Sequence, residues 1–343
     1  MGFGLKSSIT NMLYKQFHVL DDYDVSIVYD NKADSKDLDD LKNLLSTKDF
    51  KSAPYYAQMA NFINAEGNQE TVSIMVPFDE EAFENLRLLR ERKSGKSLKI
   101  PEDGALASER LFMSLKRSDG ALTVKDLVGH KFNLQVTGKV ENYIGNMIIM
   151  SPDNYEKYFD KKIEENAILA KFDKVEDWND IKAEVRDNPA VLTSVEVSDT
   201  LDNVNRLMAS LDIIVVVIIF ISSALAFVVL FNLTNLNVSE RQRELSTIKV
   251  LGFTDKEVTE YIYRETLILT IIGILFGLAC GKGMHYMICM VLSPQGILID
   301  PHLVLSAFLI GSAITMVFSI IVMVIIHKQL KKVDMVEALK ADE

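Results

Sequence analysis

Apolar positions fall into two patterns along this chain. From residue 213 onward they run together. Residues 213–231 are 19 consecutive positions without a charge, and residues 303–326 are 24. Each run is long enough to cross a hydrocarbon core of about 30 Å as a helix. A third run, 266–292, is apolar except for Lys282 in its second half. A charge at that depth is costly, so Lys282 is expected to snorkel outward or to pair with Asp212, at the outer end of the first span.

Before residue 210 the apolar residues alternate between helical and strand spacing. Helices are predicted over 8–17, 34–45, 80–93, 105–115, 153–159 and 176–187. Strands are predicted over 24–29, 55–64, 71–78, 131–140, 147–150, 167–172 and 191–197. Ser151-Pro152 has the form of an N-cap followed by Pro at the first helical position. Residues 142–146, Asn-Tyr-Ile-Gly-Asn, are a turn between strands, and a binding loop is one reading of it. A last helix, 199–211, should lead into the first span. The expectation is an α/β domain over 1–210 with an antiparallel or mixed sheet. An all-α three-helix membrane domain follows over 211–343, with spans at 213–234, 266–292 and 303–326.

Charge sharpens this division. Residues 1–210 hold 27 of the 37 Lys and Arg and 36 of the 48 Asp and Glu. The net charge of −11 argues against a nucleic-acid binder. Cys280 and Cys289 both lie in the apolar third run, so a disulfide framework or a Cys-based zinc site in the polar part is excluded. The polar part has no Gly-x-Ser-x-Gly and no His-Glu-x-x-His. His18 and His130 lie far apart without ligand spacing. No metal site and no enzymatic activity are expected.

Lys and Arg also orient the spans. The connection 237–265 carries Arg241, Arg243, Lys249, Lys256 and Arg264, and the tail carries Lys328, Lys331, Lys332 and Lys340. The connection 293–301 carries none. The first connection and the tail should be cytoplasmic, and residues 1–210 extracytoplasmic, in a cell (plasma) membrane. Nothing in residues 1–20 resembles a signal-peptide apolar region. Either a preceding transmembrane helix belongs before residue 1 or a partner chain supplies the export route; the first is expected, and the chain reads as the C-terminal part of a longer protein.

The cytoplasmic connection has the densest local signals. Ser239 with Gln242, and Thr254 with Glu257, have capping-box spacing. A helix over 240–251 should end at Gly252, the usual left-handed C-cap. Leu245, Ile248 and Leu251 form an apolar stripe bordered by Arg241, Arg243, Glu244 and Lys249. Such a helix lies in the headgroups or docks into a partner groove. In the second span, Gly273, Gly277 and Gly281 recur every four residues. They are expected to let a neighbouring helix approach closely.

The run Glu240-Arg241-Gln242-Arg243-Glu244-Leu245, with Lys249-Val250-Leu251-Gly252-Phe253-Thr254, resembles the FtsX-like permease family of ABC transporters. So does Glu265 before a glycine-bearing span, and so does the tail Asp334-Met335-Val336-Glu337-Ala338-Leu339. The resemblance implies a MacB-type architecture. A separate cytoplasmic ATPase would carry the ATP and grip the coupling helix 240–251 through Arg241, Arg243, Glu244, Leu245, Ile248, Leu251 and Gly252. Its closure would move the extracytoplasmic domain for export or extraction of a substrate. The chain has no phosphate-binding loop, since Gly277 to Gly281-Lys282-Gly283 has the wrong spacing and no hydroxyl. The other implied partners are the lipid membrane and the N-terminal remainder of the permease or a second copy. Two other functions fit the same residues: a non-transporting, ATP-driven regulator of a cell-wall enzyme, and a membrane-anchored sensor or binding module.

Overall fold

The computed structural model describes residues 2–116, 120–126, 129–241, 244, 247–248, 250–292, 296–301 and 305–330. The chain divides into two compact units. One comprises residues 9–207 with 289–300; the other comprises 1–8, 208–288 and 301–343.

The polar unit is built on nine strands. They are β1 (Val25–Tyr29), β2 (Phe50–Ile63), β3 (Gln69–Pro77), β4 (Ala105–Ser108), β5 (Gly120–Lys125), β6 (Lys131–Val140), β7 (Met147–Ile149), β8 (Ala167–Phe172) and β9 (Val191–Glu196). They pair in the order β3-β7-β4-β6-β5-β2-β8-β1-β9. An additional β2–β3 pairing closes the first six strands on themselves. Most pairs are antiparallel, while β3–β7 and β4–β6 are parallel, which makes the sheet mixed.

Strand β2 belongs to both halves of this sheet. Its first part pairs with β8 and its second with β3, and Tyr55 has a partner in each. Between its contacts with β8 and β5, the Asn166 side chain stands in for a strand. Its amide accepts from the Ala57 N–H at 2.7 Å and donates to the Ala57 carbonyl at 3.0 Å, which satisfies main-chain groups that would otherwise lack a ladder partner.

Alternation places one face of each closed-sheet strand inside. Phe62, Val72, Ile74, Leu122, Val124, Leu134 and Ile148 form the core with Leu111 and Tyr155. The helices covering this part are α3 (Glu80–Leu86), α4 (Glu109–Leu115) and α5 (Pro152–Phe159). Ser151 caps α5 as its spacing requires, accepting from the Asn154 N–H at 3.3 Å. Tyr155 and Phe159, four residues apart, stack at 4.4 Å. Helices α2 (Ser35–Ser46) and α6 (Val175–Asp187) lay Leu41, Leu45, Trp178, Ile181 and Val185 on β1 and β8 in a second core.

Three local expectations change. The helix at residue 80 stops at Leu86, because the following backbone pairs elsewhere. Asp22 N–H donates to Leu86 O, Leu88 N–H donates to Leu20 O, and Asp21 bridges Arg87. Residues 105–115 divide into β4 and α4, since Ala105 to Ser108 are needed between β6 and β7. The first helix is α1 (Gly2–Tyr14), and it widens into a π-helical turn over Lys15–Leu20.

The second unit contains the apolar helices. Helix α7 (Val197–Glu240) passes without a break from the polar unit into the first span. Helices α8 (Asp255–Leu292) and α9 (Leu305–Leu330) supply the others. Stretches long and apolar enough to cross a membrane are Asp212–Glu240, Thr266–Val291 and Leu305–Ile325. Within this unit the α8 and α9 hydroxyls of Thr270 and Ser319 meet at 3.0 Å, an interhelical polar contact of the kind that joins membrane helices.

Candidate coupling site and membrane groove

The connection between α7 and α8 is helical at residues 244, 247, 248 and 250. It then reverses at Gly252, whose φ of +98° is the left-handed conformation that penalises a Cβ. The Phe253 N–H reaches back to the Ile248 carbonyl at 3.4 Å, the six-to-one bond of a Schellman end. Thr254 and Glu257 then start α8. The Glu257 carboxylate accepts from the Thr254 N–H at 2.8 Å and from its hydroxyl at 2.9 Å. These two bonds hold its carboxyl below the ordinary glutamate range. Half of the second capping box is thus made: Glu257 reaches back to the Thr254 N–H, while the Glu257 N–H donates to the Thr254 carbonyl. The first box is not formed, because α7 continues through Ser239 to Glu240; Gln242 lies outside the described residues.

The expected stripe separates into two parts. Ile248 is half-buried and packs with Phe231, Val238, Val258 and Val322 inside this unit. An i, i+3 stripe at a sharp corner cannot keep all its members on one outer face. Leu251 is 73% exposed, and it is joined by Val250 and Phe253 at 70% and 52%. Val250 and Phe253 were not part of the expected stripe. Their signal was three apolar residues around one glycine with no polar residue among them. Glu244 is exposed and Arg241 half-buried. Arg243, Leu245 and Lys249 lie outside the described residues, as do the tail run 334–339 and Lys331, Lys332 and Lys340.

Gly273, Gly277 and Gly281 do lie along one face, but among the described residues no neighbour packs on it. No described atom stands within 4 Å of where a Cβ on any of them would lie. They line a groove of about 430 Å³ with Ser222, Lys282, His285, Gly311, Ser312 and Thr315. Lys282 is exposed in this groove. Asp212 is not its partner, since Lys6 of α1 holds that carboxylate at 2.7 and 2.8 Å. His285 is buried and lies 3.2 Å from the Ser8 hydroxyl.

Among the described residues no three His, Cys, Asp or Glu side chains are grouped to hold a metal. His18 stacks on Tyr14, and His130 pairs with Asp126 at 3.1 Å, both on the surface. The turn 142–146 is an internal junction. Asn142 donates to the Ile144 and Gly145 carbonyls and accepts from Arg87. Asn146 accepts from the fully buried Arg110, which also pairs with Glu70 at 2.8 Å. Behind the turn, burial pushes the Asp21 carboxyl up, against the opposing pull of Arg87 and Gln16. Burial also raises the Tyr143 phenol, reinforced by its hydrogen bond to Glu141.

Comparison with known proteins follows this division. Residues 216–330 match the family model described as FtsX-like permease C-terminal. No curated protein sequence matches. Among solved structures, the periplasmic region of MacB from Actinobacillus actinomycetemcomitans is similar at 9% identity, covering 56% of this chain and 97% of its own, with a TM-score of 0.30. The extracellular domain of the noncanonic ABC-type transporter YknZ from Gram-positive bacteria matches at 8% identity, covering 46% and 87%, with a TM-score of 0.26. A putative lipoprotein from Bacillus anthracis matches at 17% identity, covering 50% and 95%, with a TM-score of 0.24. Those three likenesses are low and add nothing to the fold described above. The family match falls on the three apolar helices and the corner at Gly252, so that part of the chain is similar to the C-terminal region of FtsX-like permeases.

Proposed function

We propose that the chain is a permease subunit of an ABC transporter. A separate cytoplasmic ATPase grips the connection between α7 and α8, and ATP hydrolysis there moves the polar domain outside the membrane to export or extract a substrate. ATP belongs to the partner, and the chain performs no chemistry of its own. The observation that carries this reading is the corner at Gly252. Val250, Leu251 and Phe253 are apolar and exposed there, held by a Schellman end and by the Glu257 bond to the Thr254 N–H, with exposed Glu244 earlier in the same connection. An apolar knob on a rigid turn suits a protein groove, and a neighbouring charge fixes register. The excess of Lys and Arg in the same connection supports a cytoplasmic position.

The test is co-purification of the cognate ATPase with Leu251→Asp and with Glu244→Arg. Both should lose association by about tenfold or more. If the knob only rests in lipid headgroups, Glu244→Arg will keep its partner. Retained association in both variants overturns the proposal. Sidedness is tested separately with an impermeant thiol reagent on intact cells lacking Cys280 and Cys289. Lys174→Cys should label before lysis and Lys256→Cys only after it.

A further inference from the structure

Residues 296–300, between α8 and α9, belong to the polar unit together with Cys289. Ile297 forms an isolated antiparallel bridge with Ile144. Gly145 N–H donates to Gly296 O, and Leu298 N–H donates to Tyr143 O, each at 2.8 Å. Gly145 and Gly296 face each other at one end of this bridge, with φ of +74° and +91°. Leu298 and Ile299 are buried with Met12, Leu13, Leu20, Tyr143 and Cys289. Asp300 completes the contact, with Lys15 Nζ at 3.3 Å and Arg92 Nη1 at 3.8 Å. The base beneath is also fastened, because the Gln16 side chain accepts from the Tyr143 N–H at 2.8 Å.

We infer that residues 296–300 are a permanent clasp: they stay seated on the turn 142–146 throughout the working cycle. The polar domain is then carried by the α8–α9 hairpin as well as by α1 and α7. This rests on the reading of the chain as an ATP-driven permease. Two chain connections alone, through α1 and α7, leave a domain free to swivel about the line joining them. Attachment through a further connection removes that freedom, so a pull on the spans turns the domain as one body. Release would expose two aliphatic side chains, Leu298 and Ile299, and break two main-chain bonds. An open clasp is therefore disfavoured by about 100-fold or more. Because the hydrogen bonds come from the flanking residues, Ile144 and Ile297 form a non-hydrogen-bonded pair, with Cα atoms expected about 4.5 Å apart. That separation is within disulfide range, and both side chains are exposed enough to replace.

The experiment uses the full chain in membranes with Cys280→Ala and Cys289→Ala, carrying Ile144→Cys and Ile297→Cys. A protease site placed in the exposed segment 160–165 reports the cross-link, because cleaved fragments stay joined until reduced. Near-complete joining is expected without nucleotide, with a non-hydrolysable ATP analogue and with ADP, and the locked complex should keep its ATPase rate within about twofold. Hydrogen exchange at the Gly145 and Leu298 amides of the unmutated chain is the second measurement, and both should stay protected in every state. Joining that falls several-fold in one nucleotide state, or a lock that stops ATP turnover, shows a clasp that opens and overturns the inference. Unprotected amides without nucleotide overturn the seating itself. Failure of any ATPase to co-purify removes the functional reading instead, and the nucleotide-free arms still decide whether the clasp is seated.

Discussion

The polar unit and the membrane unit treat apolar residues in opposite ways. In the polar unit they are buried within the chain: six strands close on themselves, and Phe62, Ile74 and Leu134 are 1%, 0% and 0% exposed. In the membrane unit they face outward. Only 0%, 6% and 17% of the most apolar windows of the three spans are buried. The first pattern is the work of water, which drives apolar surface together. The second needs lipid or other helices as its surroundings, because no such driving force acts between helices and lipid tails. Polar groups differ in the same way. The polar unit buries whole ion pairs such as Asp21–Arg87, whereas the membrane unit leaves Lys6–Asp212 half exposed.

The sharpest way to break this contrast is Arg110→Ala. It strands Glu70 and Asn146 beside a buried void, and it should cost the polar unit about 3–5 kcal/mol. Trp178, the sole tryptophan, is buried against β1 and β8, so its fluorescence during chemical unfolding reports that unit directly. An unchanged midpoint would mean the network is dispensable. Next comes one substitution made on both sides of the boundary. Leu134→Ala should cost about 2–5 kcal/mol, and Leu225→Ala in the first span, 64% exposed, less than about 0.5 kcal/mol in detergent. Equal losses would show the first span packed inside the chain.

A subtler effect is expected from pH. Burial pushes the Glu70 carboxyl up, but hydrogen bonds from Arg110, Asn64 and Asn146 outweigh it and hold it below its ordinary 4.5. A lowered folded value stabilises the fold above the unfolded value and loses that contribution as pH falls through the folded one. Glu70→Gln should therefore unfold earlier than the unmutated chain at pH 7, and the two melting curves should converge as pH falls below the ordinary glutamate range. Curves separated by the same interval at every pH would contradict this. The smallest effect is assigned to Gly277→Leu. With open space at its Cβ, the chain alone should change by less than about 0.5 kcal/mol. A clear loss of thermal stability would mean that the glycine face is covered after all.

Sequence pattern carried the membrane unit well, because a run of apolar residues is a local signal. The strands at 131–140 and 167–172, the Ser151-Pro152 start and the Gly252 turn were legible for the same reason. What escaped depends on distant partners. Residues 105–108 are helix formers in composition, yet all four are buried, so they show no period, and only β6 and β7 make them a strand. Strand β5 escaped because just Leu122 and Val124 mark its inner face. Residues 87–93 look helical until Leu20, Leu98, Glu141 and Lys96 claim their backbone. At the coupling corner the glycine and caps were readable. That Ile248 turns inward while Val250 and Phe253 face out was not, because it is decided by α9 through Val322.

Strand β2 has a consequence for how the protein is made. A ribosome adds about 5–20 residues per second and releases them in chain order. Residue 149 is the last needed for the closed six strands, so that half can form early. The other edge of β2 then waits for β8, which ends at Phe172, and β1 waits further for β9, which ends at Glu196. Until then Phe50 to Tyr55 present an unsatisfied edge of the kind that recruits foreign strands. Pro54 costs this edge nothing, because its carbonyl accepts from the Phe78 N–H on the opposite side of the strand, so the N–H it lacks would have faced away from β8.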